Sequence, residues 1–94
     1  MNEIKGLFPL GLLVATPGAL AALAGADQNP RVFIARHVTG DWGDLPPEDV
    51  AENQRALIVG SRLFSAYNLA DGTRMWIITE HDRSATTLLL PAEY

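Results

Sequence analysis

The apolar positions change period once along the chain. Up to about residue 60 they recur at three- and four-residue intervals between helix start and stop signals, and from residue 61 they crowd into short runs rich in aromatic and branched residues. "PGALAALAG" follows Thr16, a good helix cap, with Pro17 at the first helical position, and Leu20, Leu23 and Ala24 fall on one face before Gly25 ends the helix. "NPRVFIARHVTG" repeats the device: Asn29 caps, Pro30 opens, Gly40 closes, and Val32, Phe33, Arg36 and His37 keep helical spacing. A third helix starts at Pro46-Pro47, with Glu48 and Asp49 in the first turn, where the helix dipole favours negative charge. Its apolar stripe is Val50, Leu57 and Ile58, with Asn53 and Gln54 between them, and Gly60 ends it. Ahead of all three, "LGLLVAT" (10–16) reads as a short buried strand.

"SRLFSAYNL", "TRMWIITE" and "TTLLL" read as three strands. Asp71-Gly72 between the first two is a hairpin signal, and "HDRS" (81–84) makes a second, four-residue turn. If Asp71 and Gly72 alone form the loop, residue 67 faces 76, 66 faces 77 and 64 faces 79. One face of the meander then carries Phe64, Ala66, Met75, Ile77, Leu88 and Leu90, and the other Leu63, Tyr67, Trp76, Ile78 and Leu89. A sheet with one wet face should alternate apolar and polar positions, and this one is apolar on both. Either residues 10–16 and the N-terminal tail fold over the second face, or that face meets a protein partner or a second copy. The chain is therefore expected to be an α+β protein: two to three short N-terminal helices on a small, mainly antiparallel sheet of three to four strands that ends in a C-terminal β-meander. One domain spans residues 1–94, with 1–9 as a flexible tail.

Composition narrows the function classes. The chain has 94 residues, a hydrophobic fraction of 48% and a net charge of −4 from seven basic and eleven acidic residues. No basic stripe stands out, which disfavours direct binding to nucleic acid. Cysteine is absent, so disulfides and thiolate metal sites are excluded. The N-terminal apolar run carries Lys5 ahead of it and an Ala24-Gly25-Ala26 segment behind, as a signal peptide would. Glu3 offsets that lysine, however, and Thr16-Pro17-Gly18 breaks the run with a helix start, so a cytoplasmic protein is expected. The same breaks rule the run out as a membrane span.

Two stretches could carry chemistry. "HVTGDWGDL" (37–45) packs a histidine, two aspartates, a tryptophan and two glycines into nine residues. At a helix C-terminus His37 gains from the dipole when protonated. Gly40 and Gly43 suit tight turns, and Asp41 and Asp44 suit bonds to nearby amides. Trp42 is either a plug between helices or an exposed anchor. "TEHDRS" (79–84) places Glu80, His81, Asp82 and Arg83 at a hairpin tip. His37 with Glu80, Asp82 and Arg83 would supply the acid, the base and the cation of a small hydrolase or ribonuclease. Neither stretch has the ligand spacing of a metal site, and no cofactor motif is present.

"ATPGALAAL", "ARHVTGDWGDL" and "RLFSAYNLADGTRMWIITEHDRSATTLLLPAEY" together resemble a family of small uncharacterised proteins of proteobacterial plasmids and integrative conjugative elements, some of them labelled as a type I restriction–modification methylation subunit. The likeness runs from about residue 10 to residue 94. It implies a mobile-element setting and brings no catalytic residues with it. A chain of 94 residues is too short for the doubly wound sheet of a methyltransferase. The leading expectation is a non-enzymatic module that binds a protein partner or itself. It could modulate host defence in the manner of an antirestriction or anti-CRISPR inhibitor, with Asp41, Trp42, Asp44, Tyr67, Trp76, Asp82 and Arg83 on its working surface. The small hydrolase is the alternative.

Overall fold

The computed structural model describes residues 6–94. Its elements run β1 (Leu12–Ala15), α1 (Pro17–Gly25), α2 (Pro30–Val38), α3 (Pro47–Val59), β2 (Leu63–Asn68), β3 (Arg74–Thr79) and β4 (Ala85–Leu89), followed by a 3-10 turn at Pro91–Glu93. This is the expected α+β order, helices first and meander last. The helix starts form for the anticipated reasons. The Thr16 hydroxyl accepts the Ala19 N–H at 3.2 Å, and the Asn29 amide oxygen accepts the Arg31 N–H at 2.9 Å. α3 ends on Gly60 in the left-handed conformation (φ 77°).

The sheet has the order β1-β4-β3-β2. The β2–β3 and β3–β4 pairs are antiparallel, and β1 joins β4 in parallel at the edge. The β2–β3 register differs from the expected one by a single residue: Tyr67 faces Met75, Ala66 faces Trp76 and Phe64 faces Ile78. The cause is the turn. Leu69 and Thr73 still pair (Leu69 N–H to Thr73 C=O, 2.7 Å), so Ala70, Asp71 and Gly72 form a three-residue loop. Only Gly72 takes positive φ (89°), while the Asp71 carboxylate accepts the Thr73 N–H at 3.0 Å. A one-residue slip moves every side chain of β2 to the opposite face. Tyr67 and Trp76, expected side by side, therefore lie on opposite faces.

Leu63, Ser65, Tyr67, Met75, Ile77, Thr79, Thr86 and Leu88 point towards the helices. Phe64, Ala66, Trp76, Ile78, Leu89, Leu12 and Val14 share the other face. Two clusters of buried side chains hold the layers together. The larger joins Ala19 and Leu23 of α1 and Phe33 and Ile34 of α2 to Tyr67, Met75, Ile77 and Leu88. The smaller joins Phe8, Val38, Trp42, Ala56 and Leu63. Every strand residue in either cluster belongs to the helix-side face.

Several expectations are corrected here. Of the expected tail over residues 1–9, residues 1–5 lie outside the described residues, and 6–9 are not loose: the Leu7 N–H reaches the Val38 C=O at 2.8 Å, and Phe8 is buried against Val38 and Trp42. β1 is a strand but not a buried one, because Leu12, Leu13 and Val14 stay exposed at the sheet edge. α3 turns Asn53 and Ala56 inward and packs Val50 and Leu57 of the expected stripe against the smaller cluster, but leaves Ile58 86% exposed. Val32 and Leu20 likewise face solvent.

The outer edge of β2 is closed. The Trp42 C=O accepts the Ala66 N–H (3.1 Å), and the Asp44 N–H donates to the Ala66 C=O (2.7 Å). The Asn53 side chain bonds both backbone groups of Phe64, accepting its N–H at 3.0 Å and donating to its C=O at 2.7 Å. Gly43 permits this approach. It has φ 78°, and a Cβ there would sit 2.1 Å from the Ala66 oxygen.

Candidate functional site

His37 is completely buried at the end of α2, not a charged cap on exposed carbonyls. Its Nδ1 lies 2.6 Å from the Ser65 hydroxyl and its Nε2 lies 2.9 Å from the Thr79 hydroxyl. The chain continues from Thr79 to Thr86 (2.7 Å) and ends where Thr86 donates to the Leu10 carbonyl (2.7 Å). That last bond fixes the rest. Thr86 has spent its proton, so it accepts from Thr79, Thr79 accepts from an Nε2–H, and Nδ1 accepts from Ser65. The neutral imidazole satisfies the whole line, and burial pushes the His37 pKa down to about 4. Phe8 and Trp42 close it off, each edge-on to the ring at 5.3 and 5.7 Å. The sequence singled out this residue but not its neutral, sealed state.

The hairpin tip does not complete a catalytic set with His37. Among the described residues no hydrogen bond or ion pair joins His37 to Glu80, Asp82 or Arg83. Arg83 is spent on structure. Its guanidinium donates to the carbonyls of Ser61 (2.6 Å), Ala56 (3.0 Å) and Glu80 (3.1 Å), and it lies 5.7 Å over the Phe8 ring. It therefore closes the C-terminal end of α3 and presents no cationic hook for an oxyanion. The Asp82 carboxylate accepts the Ser84 N–H at 3.0 Å within the turn, and the Ser84 hydroxyl together with that N–H holds its carboxyl below the usual range.

The 37–45 corner is likewise mostly architecture. Trp42 is buried, stacked on Phe8 at 6.3 Å, and is the plug rather than the anchor. Tyr67 is buried too, its hydroxyl donating to the Asp41 carbonyl at 2.8 Å, and burial raises its pKa to about 12. Neither ring is available to a partner. Asp41 pairs with Arg36 (2.7 Å), and Asp44 pairs with Arg74 (2.9 Å) and Asn68 (3.3 Å). Both carboxyls are thereby held below the ordinary carboxylate range.

On the sheet face away from the helices Ala66, Ile78 and Leu89 are buried, and only part of it stays accessible. Trp76 sits at its centre, half-buried, with Phe64 edge-on at 5.1 Å and Tyr94 edge-on at 5.8 Å. Arg62, Leu63, Phe64, Trp76, Ile78 and Tyr94 line a largely apolar groove of about 300 Å³. Arg62 forms its polar rim. It donates to the Tyr94 hydroxyl (3.1 Å), stands 5.7 Å over that ring, and comes within 3.9 Å of Glu80. The C-terminal turn is held in place by Glu93, whose carboxylate takes the Thr16 hydroxyl and the N–H groups of Gly18 (3.0 Å) and Leu90 (2.9 Å). These bonds keep the Glu93 carboxyl below its usual range. Of the expected binding residues, Trp76 alone lies in the groove. Phe64 and Ile78 were visible as strand residues but were assigned to opposite faces. Nothing in the local sequence around Arg62 or Tyr94 signals a site.

A second hollow of about 490 Å³, lined by Glu52, Arg55, Ala56, Gly60, Ser61, Arg62 and His81, lies at the end of α3 and is more polar. Among the described residues no three His, Asp or Glu side chains converge as metal ligands would, and no helix is long and apolar enough to cross a membrane. No family model, curated protein or solved structure matches the chain.

Proposed function

We propose that this chain is a non-enzymatic protein-binding module of a mobile genetic element, and that it engages its partner through the groove around Trp76. One observation carries this reading: Trp76 stands at the centre of a largely apolar sheet face, ringed by Phe64, Ile78 and Tyr94, with Arg62 at the rim. Buried aromatic anchors bordered by a polar rim are what dominate the energetics of protein interfaces. An apolar side chain of a partner, flanked by a carboxylate for Arg62, matches that chemistry. The mobile-element setting rests on the sequence resemblance. It makes an enzyme of host defence, such as a restriction or CRISPR nuclease, the partner class to try first. The net charge of −4 accords with binding a surface that otherwise holds nucleic acid.

The test is capture from a host lysate on immobilised wild-type protein beside Trp76→Ala and Ile58→Ala, the latter on the far side of α3. The reading expects a partner held by wild type and Ile58→Ala and weakened about tenfold or more by Trp76→Ala, with circular dichroism unchanged. A partner retained equally by all three forms refutes the groove.

A further inference from the structure

The two edges of the sheet are treated differently. At the β2 edge, Trp42, Asp44 and Asn53 occupy the backbone groups of Ala66 and Phe64. Among the described residues the β1 edge has no such cover, and β1 pairs there with β4 alone: the N–H groups of Leu12 and Thr16 donate to Ser84 and Leu88 at 3.0 Å each. By the alternation of a strand, Leu13 and Ala15 turn their N–H and C=O groups away from β4, out of the sheet edge. The side chains there are apolar and open, with Leu12 69%, Leu13 49% and Val14 39% exposed. The usual protections of an edge strand are a lysine, an inward charge, a proline within the strand or a bulge, and LLVA has none of them.

We infer that β1 pairs with β1 of a second copy of this chain, antiparallel about a two-fold axis through Leu13, to make one continuous eight-stranded sheet.

Three features favour a second copy as the occupant. The first is self-complementarity. With Leu13 opposite Leu13 of the partner subunit, the two residues exchange both backbone hydrogen bonds. Leu12 of each copy meets Val14 of the other on the open face, so all three exposed side chains find an apolar neighbour at once. The second is charge. Each copy carries −4, yet no charged residue occurs between Lys5 and Asp27, so the contact brings no like charges together. α1, which follows β1 directly, adds only the uncharged Pro17, Leu20, Ala21, Ala24 and Gly25 on its exposed positions. The third is concentration. Five of the nine large hydrophobic residues left exposed among the described residues (Leu7, Leu12, Leu13, Val14 and Leu20) fall in this uncharged stretch. A two-fold axis normal to the sheet keeps both helix layers on one side. Leu12 and Val14 then join the two uncovered faces into a single surface with a Trp76 groove at each end.

The absence of cysteine gives a direct test. Opposed residues in such a hydrogen-bonded pair stand about 5.5 Å apart at Cα, within disulfide range. On mild oxidation L13C should give a covalent dimer, while I58C, at the most exposed apolar position, should not under the same conditions. In sedimentation equilibrium wild type should dimerise, and L13K should raise the dissociation constant by about tenfold or more. Because the Leu13 side chain is exposed and its backbone groups have no partner among the described residues, L13K should keep the wild-type circular dichroism and melting temperature at low concentration. Wild type that stays monomeric through the millimolar range, or L13C that cross-links no faster than I58C, overturns the inference. The groove reading is separable: W76A should leave dimerisation intact, and a monomeric L13K should still lose its captured partner when Trp76 is removed.

Discussion

Acidification from pH 6.5 to about 4 should destabilise this protein through one residue. His37 is neutral in the folded state with its pKa near 4, whereas in the unfolded chain it returns to about 6.5. Between those values the unfolded state binds a proton that the folded state refuses. Stability therefore falls as pH drops, by about 1.36 kcal/mol per unit. Across the window the loss is roughly 3 kcal/mol, a large share of the 5–15 kcal/mol that holds a typical domain together. The contribution is complete above pH 6.5 and gone by about pH 4. The paired carboxylates act lower down. Asp41, Asp44, Asp71, Asp82 and Glu93 all have depressed folded values, so their support persists until the pH falls below the ordinary values of 3.8 to 4.5.

Urea unfolding followed by tryptophan fluorescence across this range measures the effect. His37→Gln is the informative variant, because its amide can donate to Thr79 and accept from Ser65 as the neutral imidazole does, but it does not titrate. It should lose some stability at neutral pH and then stay nearly flat down to about pH 4, while wild type falls. A wild-type midpoint that does not move across the window, or a His37→Gln protein that declines in parallel with it, would refute the neutral buried imidazole.

Two further substitutions probe the closed edge. Asn53→Leu removes the amide that serves both the N–H and the C=O of Phe64, and should cost about 2–3 kcal/mol in urea titration, accompanied by concentration-dependent aggregation as the β2 edge opens. Gly43→Ala forces a Cβ to within 2.1 Å of the Ala66 oxygen at φ 78°. It should cost about 3 kcal/mol or more in the same titration, whereas Gly72→Ala, with open space around the turn, should cost clearly less.

The parts of the fold that local chemistry decides were legible in the sequence. Thr16-Pro17, Asn29-Pro30, Pro46-Pro47 and Gly60 each act within a few residues, and each marks a real helix boundary. The hairpin register was not, because Asp71-Gly72 serves a two-residue and a three-residue loop equally well. The choice depends on whether Ala70 joins the turn, which the rest of the sheet settles. Arg83 was misread for a related reason. Its partners, the carbonyls of Ala56 and Ser61, lie more than twenty residues back in the chain, and a charged residue in a polar turn carries no sign of them. Tyr94 drew no attention because its place over Trp76 is set by Glu93 reaching back to the start of α1.

Hydrophobicity alone does not decide which side of the sheet the helices cover. The face they cover contains Ser65, Thr79 and Thr86, all fully buried, while the other carries Phe64, Trp76, Ile78 and Leu89 beside Asn68, Arg74 and Thr87. Three buried hydroxyls without partners would cost several kcal/mol and drive that face outward. His37 reverses the preference. With the Leu10 carbonyl it completes the hydrogen bonds of all three hydroxyls, and Phe8 and Trp42 then seal the group from water. The histidine that looked catalytic thus decides which face becomes the interior. The other face keeps its polar positions, Asn68, Arg74 and Thr87, where no buried partner is needed, and it carries the Trp76 groove and, at its edge, the exposed Leu12 and Val14 of β1.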